Sequence, residues 1–229
     1  VKKCRICGHE TVASVYIRGY GYICSKHLNL YPYTWRNEIM RGTGTNRDFT
    51  WGIELEFRRH HERDTQQRIE LFGRLAARGF VPTEDGTIDD TEWKSPIYLS
   101  RRALISSLKP LMQIYQAYFR WYLVSSHVHV GRIPYSNYQR IEAVLPELSD
   151  VYIDERLWGR GPNDYCHLDD ADDRYFFINL KTANKGDVEF RLPKITTYRQ
   201  LLLVTLFIKR FIKQPERFEK IQEEMVKRI

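Results

Sequence analysis

Residues 49–58 alternate without a break. Trp51, Ile53, Leu55 and Phe57 fall on one side, and Gly52, Glu54, Glu56 and Arg58 on the other. A period of two is the signature of a strand with one apolar and one polar face. The polar side is the constraint, because Glu54 and Glu56 project together and neighbouring carboxylates on a sheet repel. His127 and His129 repeat the spacing with Val128 and Val130 opposite. Glu189 and Arg191 repeat it with Val188, Phe190 and Leu192 opposite, and Asp90, Glu92 and Lys94 form a fourth set. Any one such set is an ordinary solvent-facing strand. Four together predict a shared site for a divalent cation, Mg²⁺ or Mn²⁺, and for phosphate, with Arg191 meeting phosphate oxygens.

Apolar spacing predicts helices over 64–79, 100–121, 135–148, 197–213 and 215–228, with Pro110 kinking or interrupting the second. Further strands are expected over 87–95, 126–132, 174–181 and 187–192, the last two forming a hairpin around 182–186. Residues 163–173 read as a polar loop. Strands joined partly by hairpins and partly by helices predict an α+β fold, an antiparallel sheet with helices on one face and the active site on the other.

Composition narrows the class. At 229 residues, 42% hydrophobic and 14% aromatic, the chain has globular and not disordered character. The longest apolar run, residues 201–208, is far short of the ~20 residues of a membrane span. Val1-Lys2-Lys3-Cys4 does not resemble a signal peptide, and a start at Val1 points to a trimmed terminus. The net charge of +7 admits an anionic partner but is too mild to identify nucleic acid. Neither a P-loop nor a His-Glu-x-x-His motif is present.

A second motif lies near the start. Cys4-Arg5-Ile6-Cys7-Gly8 and Cys24-Ser25-Lys26-His27 are two pairs with the same two-residue gap. Cys4, Cys7, Cys24 and His27 make a closed tetrahedral set, which predicts a structural Zn²⁺. Thiolate ligands of this kind suit a reducing, cytoplasmic compartment. Residues 1–48 hold eight Lys and Arg against three Asp and Glu, so most of the excess charge lies there. The chain therefore divides into a zinc module with a basic aromatic segment over 1–41, a linker over 42–48 and a main domain over 49–229. Arg18, Lys26 and Arg36, interleaved with Tyr20, Tyr22 and Trp35, leave two uses open for the module: nucleic-acid contact, or docking on the main domain. Cys166, beside His167, reads as a bystander thiol.

The motifs of the main domain follow in the order of a known family. Gly52-Ile53-Glu54-Leu55-Glu56, Asp85-Gly86-Thr87 with Glu92-Trp93-Lys94-Ser95-Pro96, Ser126-His127-Val128-His129-Val130-Gly131, Arg174-Tyr175 with Asn179-Leu180, and Val188-Glu189-Phe190-Arg191 together resemble the amidoligases. These belong to the glutamine synthetase-like and glutamate–cysteine ligase-like carboxylate–amine ligases. The resemblance covers about residues 49–213 and leaves out the zinc-ribbon-like module. It implies an ATP-dependent ligase that forms an amide or isopeptide bond through an acyl phosphate. It implies one divalent ion on Glu56 and Glu92 and another on Glu54, His127 and Glu189. It also implies ATP held by His129, Arg191, Asn179 and Lys185, with Arg191, Glu189 and His129 in catalytic roles. The implied substrates are an amino acid, a peptide or a macromolecule such as a protein. Three positions depart from the family: Ser125-Ser126 where a cysteine often precedes His-Val-His, Asp187 where Thr is common, and Trp93-Lys94 where small apolar residues are usual. Two alternatives stand beside the ligase, a non-catalytic binding protein on an inherited ligase fold and a metal-dependent hydrolase or nuclease. The oligomeric state is left open.

Overall fold

The computed structural model describes residues 49–58, 65–84, 91–163, 166–169, 176–180 and 187–229, together with four short strands before residue 25. Those strands form two antiparallel pairs. β1 (Lys2–Lys3) joins β2 (Glu10–Thr11), and β3 (Ser14–Ile17) joins β4 (Gly21–Cys24). Cys24 ends β4, whereas Cys4, Cys7 and His27 lie outside the described residues, as do the 42–48 linker and Lys185.

The main domain is α+β. Its sheet comprises β5 (Thr50–Phe57), β6 (Val81–Glu84), β7 (Thr91–Lys94), β8 (Leu123–Gly131), β9 (Ile178–Asn179) and β10 (Asp187–Phe190). The spatial order is β6-β7-β5-β8-β10-β9, and every neighbouring pair is antiparallel. The alternating segment 50–57 thus sits near the middle, where its odd-numbered residues can be buried completely. β6 is a strand that the alternation does not reveal. It is four residues long and contains Pro82, which a sheet tolerates at an edge such as this one.

Several boundaries differ from the sequence-based ones. Of the expected strands over 87–95 and 174–181, the described residues form strands at 91–94 and 178–179, while 87–90, 174–175, 181 and the expected 182–186 turn lie outside the described residues. Helix α1 (Thr65–Ala76) ends before Gly79, whose φ of 80° suits a residue without Cβ. Helix α2 (Arg101–Ile114) begins at the Ser100 cap, whose side chain accepts from the Ala103 N–H. It runs through Pro110 and breaks instead at Tyr115 (φ −110°, ψ 32°), after which α3 (Gln116–Tyr122) continues. Proline removes one donor, but Leu108, Leu111 and Met112 around it are buried, and that packing holds the turn together. Helix α4 (Tyr135–Val144) tightens into a 3₁₀ turn over Leu145–Asp150, which contains Pro146.

Helices cover the apolar face of the sheet. Trp51, Ile53, Leu55, Val128, Val130, Val188 and Phe190 share one core with Leu201, Val204, Phe207, Ile208 and Phe211 of α6 (Tyr198–Lys213). A capping box of Thr197 and Gln200 starts α6. Short helix α5 (Glu155–Trp158) and terminal helix α7 (Phe218–Val226) close the bottom of this core. Phe207 packs 4.9 Å from Trp158 and 5.0 Å from Phe218 between ring centroids. Buried Gln222 accepts from the Asp154 N–H at 3.2 Å and from Trp158 Nε1 at 2.7 Å, and donates to the Tyr152 carbonyl at 2.7 Å. It thereby fixes α7 to the turn that carries α5. Among the described residues no helix is long and apolar enough to cross a membrane.

Candidate functional site

The ladder registers place the polar residues opposite one another. Glu54 pairs with Lys94 on one side and His127 on the other. Glu56 pairs with Glu92 and Ser125. Glu189 pairs with His129 and Asn179, and His129 also faces Gly52. A one-residue slip in any of these strands would turn its set into the hydrophobic core, so burial of the opposite face fixes the register.

This polar face is not washed by solvent. Glu54 is 4% exposed, Glu189 3% and His129 0%, with His127, Glu92, Ser125 and Asn179 also buried. Isolated carboxylates at such depth would be expensive, so each has partners. Glu54 Oε1 lies 3.0 Å from Lys94 Nζ and 3.4 Å from His129 Nε2. His127 Nδ1 lies 3.3 Å from Glu54 Oε2 and 3.4 Å from Glu189 Oε1, and its Nε2 lies 3.6 Å from Glu56 Oε1. Glu189 accepts from Asn179 Nδ2 at 3.0 Å and from Arg191 Nη1 at 2.7 Å. Glu56 accepts from Ser125 Oγ. Glu92 accepts from Thr83 Oγ1 at 2.8 Å and lies 3.1 Å from Lys94 Nζ.

Charge settles unevenly over this cluster. Burial pushes the Glu54 carboxyl up, but Lys94 and the two histidines outweigh it and hold the group well below the usual carboxylate range. For Glu92, burial and the neighbouring Glu54 charge prevail over Lys94, and its carboxyl is pushed up to about 8. Burial works against the Lys94 ammonium, but the two carboxylates outweigh it and hold it above the ordinary lysine range. Two carboxyls that share one ammonium thus keep a proton on the outer member at neutral pH.

Among the described residues, Glu54, His129 and Glu189 form the group whose ligand atoms, one from each, all lie within 4.8 Å of one another. Two carboxylates and an imidazole from three adjacent strands are a donor set suited to a hard or borderline divalent ion. The grouping implied by the resemblance has His127 in place of His129. His127 touches the same two carboxylates but also reaches Glu56. Glu56 and Glu92 face each other in register, with Lys94 beside them. Arg191 lies at the edge of the set, and Asn179 approaches through Glu189.

Three further residues belong to the arrangement without a motif to announce them. Thr83 orients Glu92, and it lies on the unforeseen strand β6. Ser125 joins Glu56 to His127, its Oγ lying 3.3 Å from His127 Nε2. Arg160 donates to the carbonyls of Arg191 at 2.7 Å and Leu192 at 3.0 Å, securing the chain where Arg191 leaves the sheet. Its segment is irregular, so no periodicity points to it. Cys166 is buried, and burial pushes its thiol up to about 11, which suits a packing role. Comparison of the chain with protein-family models, with curated proteins and with solved structures finds no match.

Proposed function

We propose that the chain is an ATP-dependent carboxylate–amine ligase of the amidoligase type, with a glutamine synthetase-like catalytic sheet and an appended zinc module. The observation that supports this most is the convergence of Glu54, His129 and Glu189 from three strands on one buried face, with Arg191 2.7 Å from Glu189. Folding alone has little reason to gather carboxylates in this way, whereas a site for a divalent ion and a phosphorylated substrate does.

In this proposal Glu54, His129 and Glu189 hold Mg²⁺ or Mn²⁺, which when bound neutralises phosphate oxygens of ATP. Ionised Glu54 is ready to ligate without first losing a proton. Asn179 orients the Glu189 carboxylate, His127 braces Glu54 and Glu189 together, and the Arg191 guanidinium offers N–H donors to the transferred group. The γ-phosphoryl group passes to a substrate carboxylate and ADP leaves. An amine then attacks the acyl phosphate, forming the C–N bond and releasing phosphate. The substrate is an amino acid, a peptide or a protein side chain. Cys4, Cys7, Cys24 and His27 hold a structural Zn²⁺, and the basic module gives a macromolecular substrate or nucleic acid a place to bind. Thiolate zinc ligands suit the cytoplasm.

The test is calorimetric titration of wild type and Glu54→Gln with ATP and Mg²⁺. Binding by wild type that disappears in a folded Glu54→Gln variant is expected. Ligation is then sought by mass spectrometry over acid–amine pairs. Absence of nucleotide binding by folded wild type overturns the ligase assignment.

A further inference from the structure

The family resemblance implies two divalent ions held by carboxylates, but the described residues bring together ligand atoms for one ion and not two. Glu54, His129 and Glu189 offer atoms within 4.8 Å of one another. Glu56 and Glu92, the pair implied for the second ion, are directed to other partners. Glu56 accepts from Ser125 and lies against His127, while Glu92 accepts from Thr83. Between the carboxylates stands Lys94. Its Nζ lies 3.0 Å from Glu54 Oε1 and 3.1 Å from Glu92 Oε1, and only 15% of its side chain is exposed.

An ammonium in that position does what a second metal would do. It balances the negative charge of buried Glu54 and lies against the buried Glu92 carboxyl on its own strand, and it cannot be washed out or exchanged. Its register fixes it there, because Lys94 is the direct ladder partner of Glu54. A divalent ion on Glu92 Oε1 would have to displace this ammonium, which lies 3.1 Å from that oxygen. Trp93 is wholly buried and anchors the backbone of the strand that carries Lys94.

We propose that Lys94 is a built-in substitute for a second divalent ion, so that the sheet binds a single ion on Glu54, His129 and Glu189. This rests on the metal assignment made under the proposed function. It makes Lys94 a residue that determines metal stoichiometry, and it gives the enzyme one fixed positive charge where a two-ion site would have an exchangeable one.

The experiment counts Mn²⁺ bound to the full chain, without nucleotide, by equilibrium dialysis and electron paramagnetic resonance. A Glu54→Gln/Glu92→Gln double variant serves as the blank for adventitious sites. Wild type is expected to bind one ion above the blank. Lys94→Ala, and the similarly long but uncharged Lys94→Met, are expected to bind two, with the line broadening of neighbouring spins. Two ions in wild type, or one ion in wild type and in both folded variants, overturn the lysine assignment and leave the metal assignment standing. No ion above the blank in any of the proteins overturns both. If Lys94→Ala fails to fold, the wild-type count and Lys94→Met still decide.

Discussion

Asn179 and Glu189 are register partners on adjacent strands, and the Asn179 side chain donates to Glu189 Oε2 at 3.0 Å. The amide leaves Glu189 Oε1 facing His129 and Arg191. Partners of this kind orient a ligand, and their loss costs about tenfold to a hundredfold in metal affinity. Asn179→Ala is therefore expected to weaken Mn²⁺ binding by about that factor, and Glu189→Gln to weaken it further, with circular dichroism unchanged in both. Equal affinity in Asn179→Ala and wild type would show that Glu189 is not a ligand or does not need orienting.

The raised Glu92 carboxyl makes a prediction about pH. An unfolded glutamic acid ionises near 4.5, whereas native Glu92 keeps its proton up to about 8. Between those values the native state binds more protons than the unfolded one, so this group lowers stability as pH rises through the window. Glu54, held low, acts in the opposite sense and at lower pH. Glu92→Gln cannot ionise, so its Tm relative to metal-free wild type should climb from pH 5 to pH 8. A difference in Tm that stays constant over that range contradicts the assignment.

Gly159 is a position where the backbone leaves no choice. Its φ is 79°, and a Cβ added there would lie 2.1 Å from the Lys194 carbonyl oxygen. The adjoining Arg160 holds the backbone of Arg191 and Leu192. Gly159→Ala is expected to destabilise the fold by about 3 kcal/mol or more, measured by urea denaturation. A loss below about 1 kcal/mol would mean that this turn relaxes freely.

Gln222 carries a similar load through hydrogen bonds. Gln222→Leu keeps comparable volume but strands the Asp154 N–H and Trp158 Nε1, both buried donors. Each orphaned group costs about 1–3 kcal/mol, so a loss of about 2–6 kcal/mol is expected by the same method.

If Cys4, Cys7, Cys24 and His27 hold zinc as proposed, Cys4→Ser should lower bound zinc measured by atomic emission and reduce the Tm, because metal binding and folding are coupled in such sites. Stoichiometric zinc in that variant would remove Cys4 from the ligand set.

The alternation of 50–57 makes β5 and its two faces legible in the sequence, and the same holds for the Val128–Val130 and Val188–Phe190 segments. That was enough to expect the α+β class and to assign the polar residues to one face. Strand order was not legible, because nothing in β5 says that β7 and β8 flank it. Partners set by register were hidden for the same reason: Lys94 reads as a polar residue on a strand, and only its pairing with Glu54 reveals it as a counter-ion. β6 and Arg160 escape because a short edge strand with a proline and an irregular turn carry no periodic signal. Pro110 misleads in the other direction, since local propensity there yields to the burial of its neighbours.

The sheet order has a consequence for synthesis. The proposed ligands come from residue 54 on β5, residue 129 on β8 and residue 189 on β10, and β10 enters the sheet against β8 only after both are made. A ribosome must therefore deliver most of the chain before the proposed site on the sheet can hold an ion, and a chain truncated before β10 would have Glu54 and His129 without their third partner. Long-range closure of this kind is slow compared with helix formation. The nascent main domain thus passes through its most aggregation-exposed stage before the three proposed ligands are together.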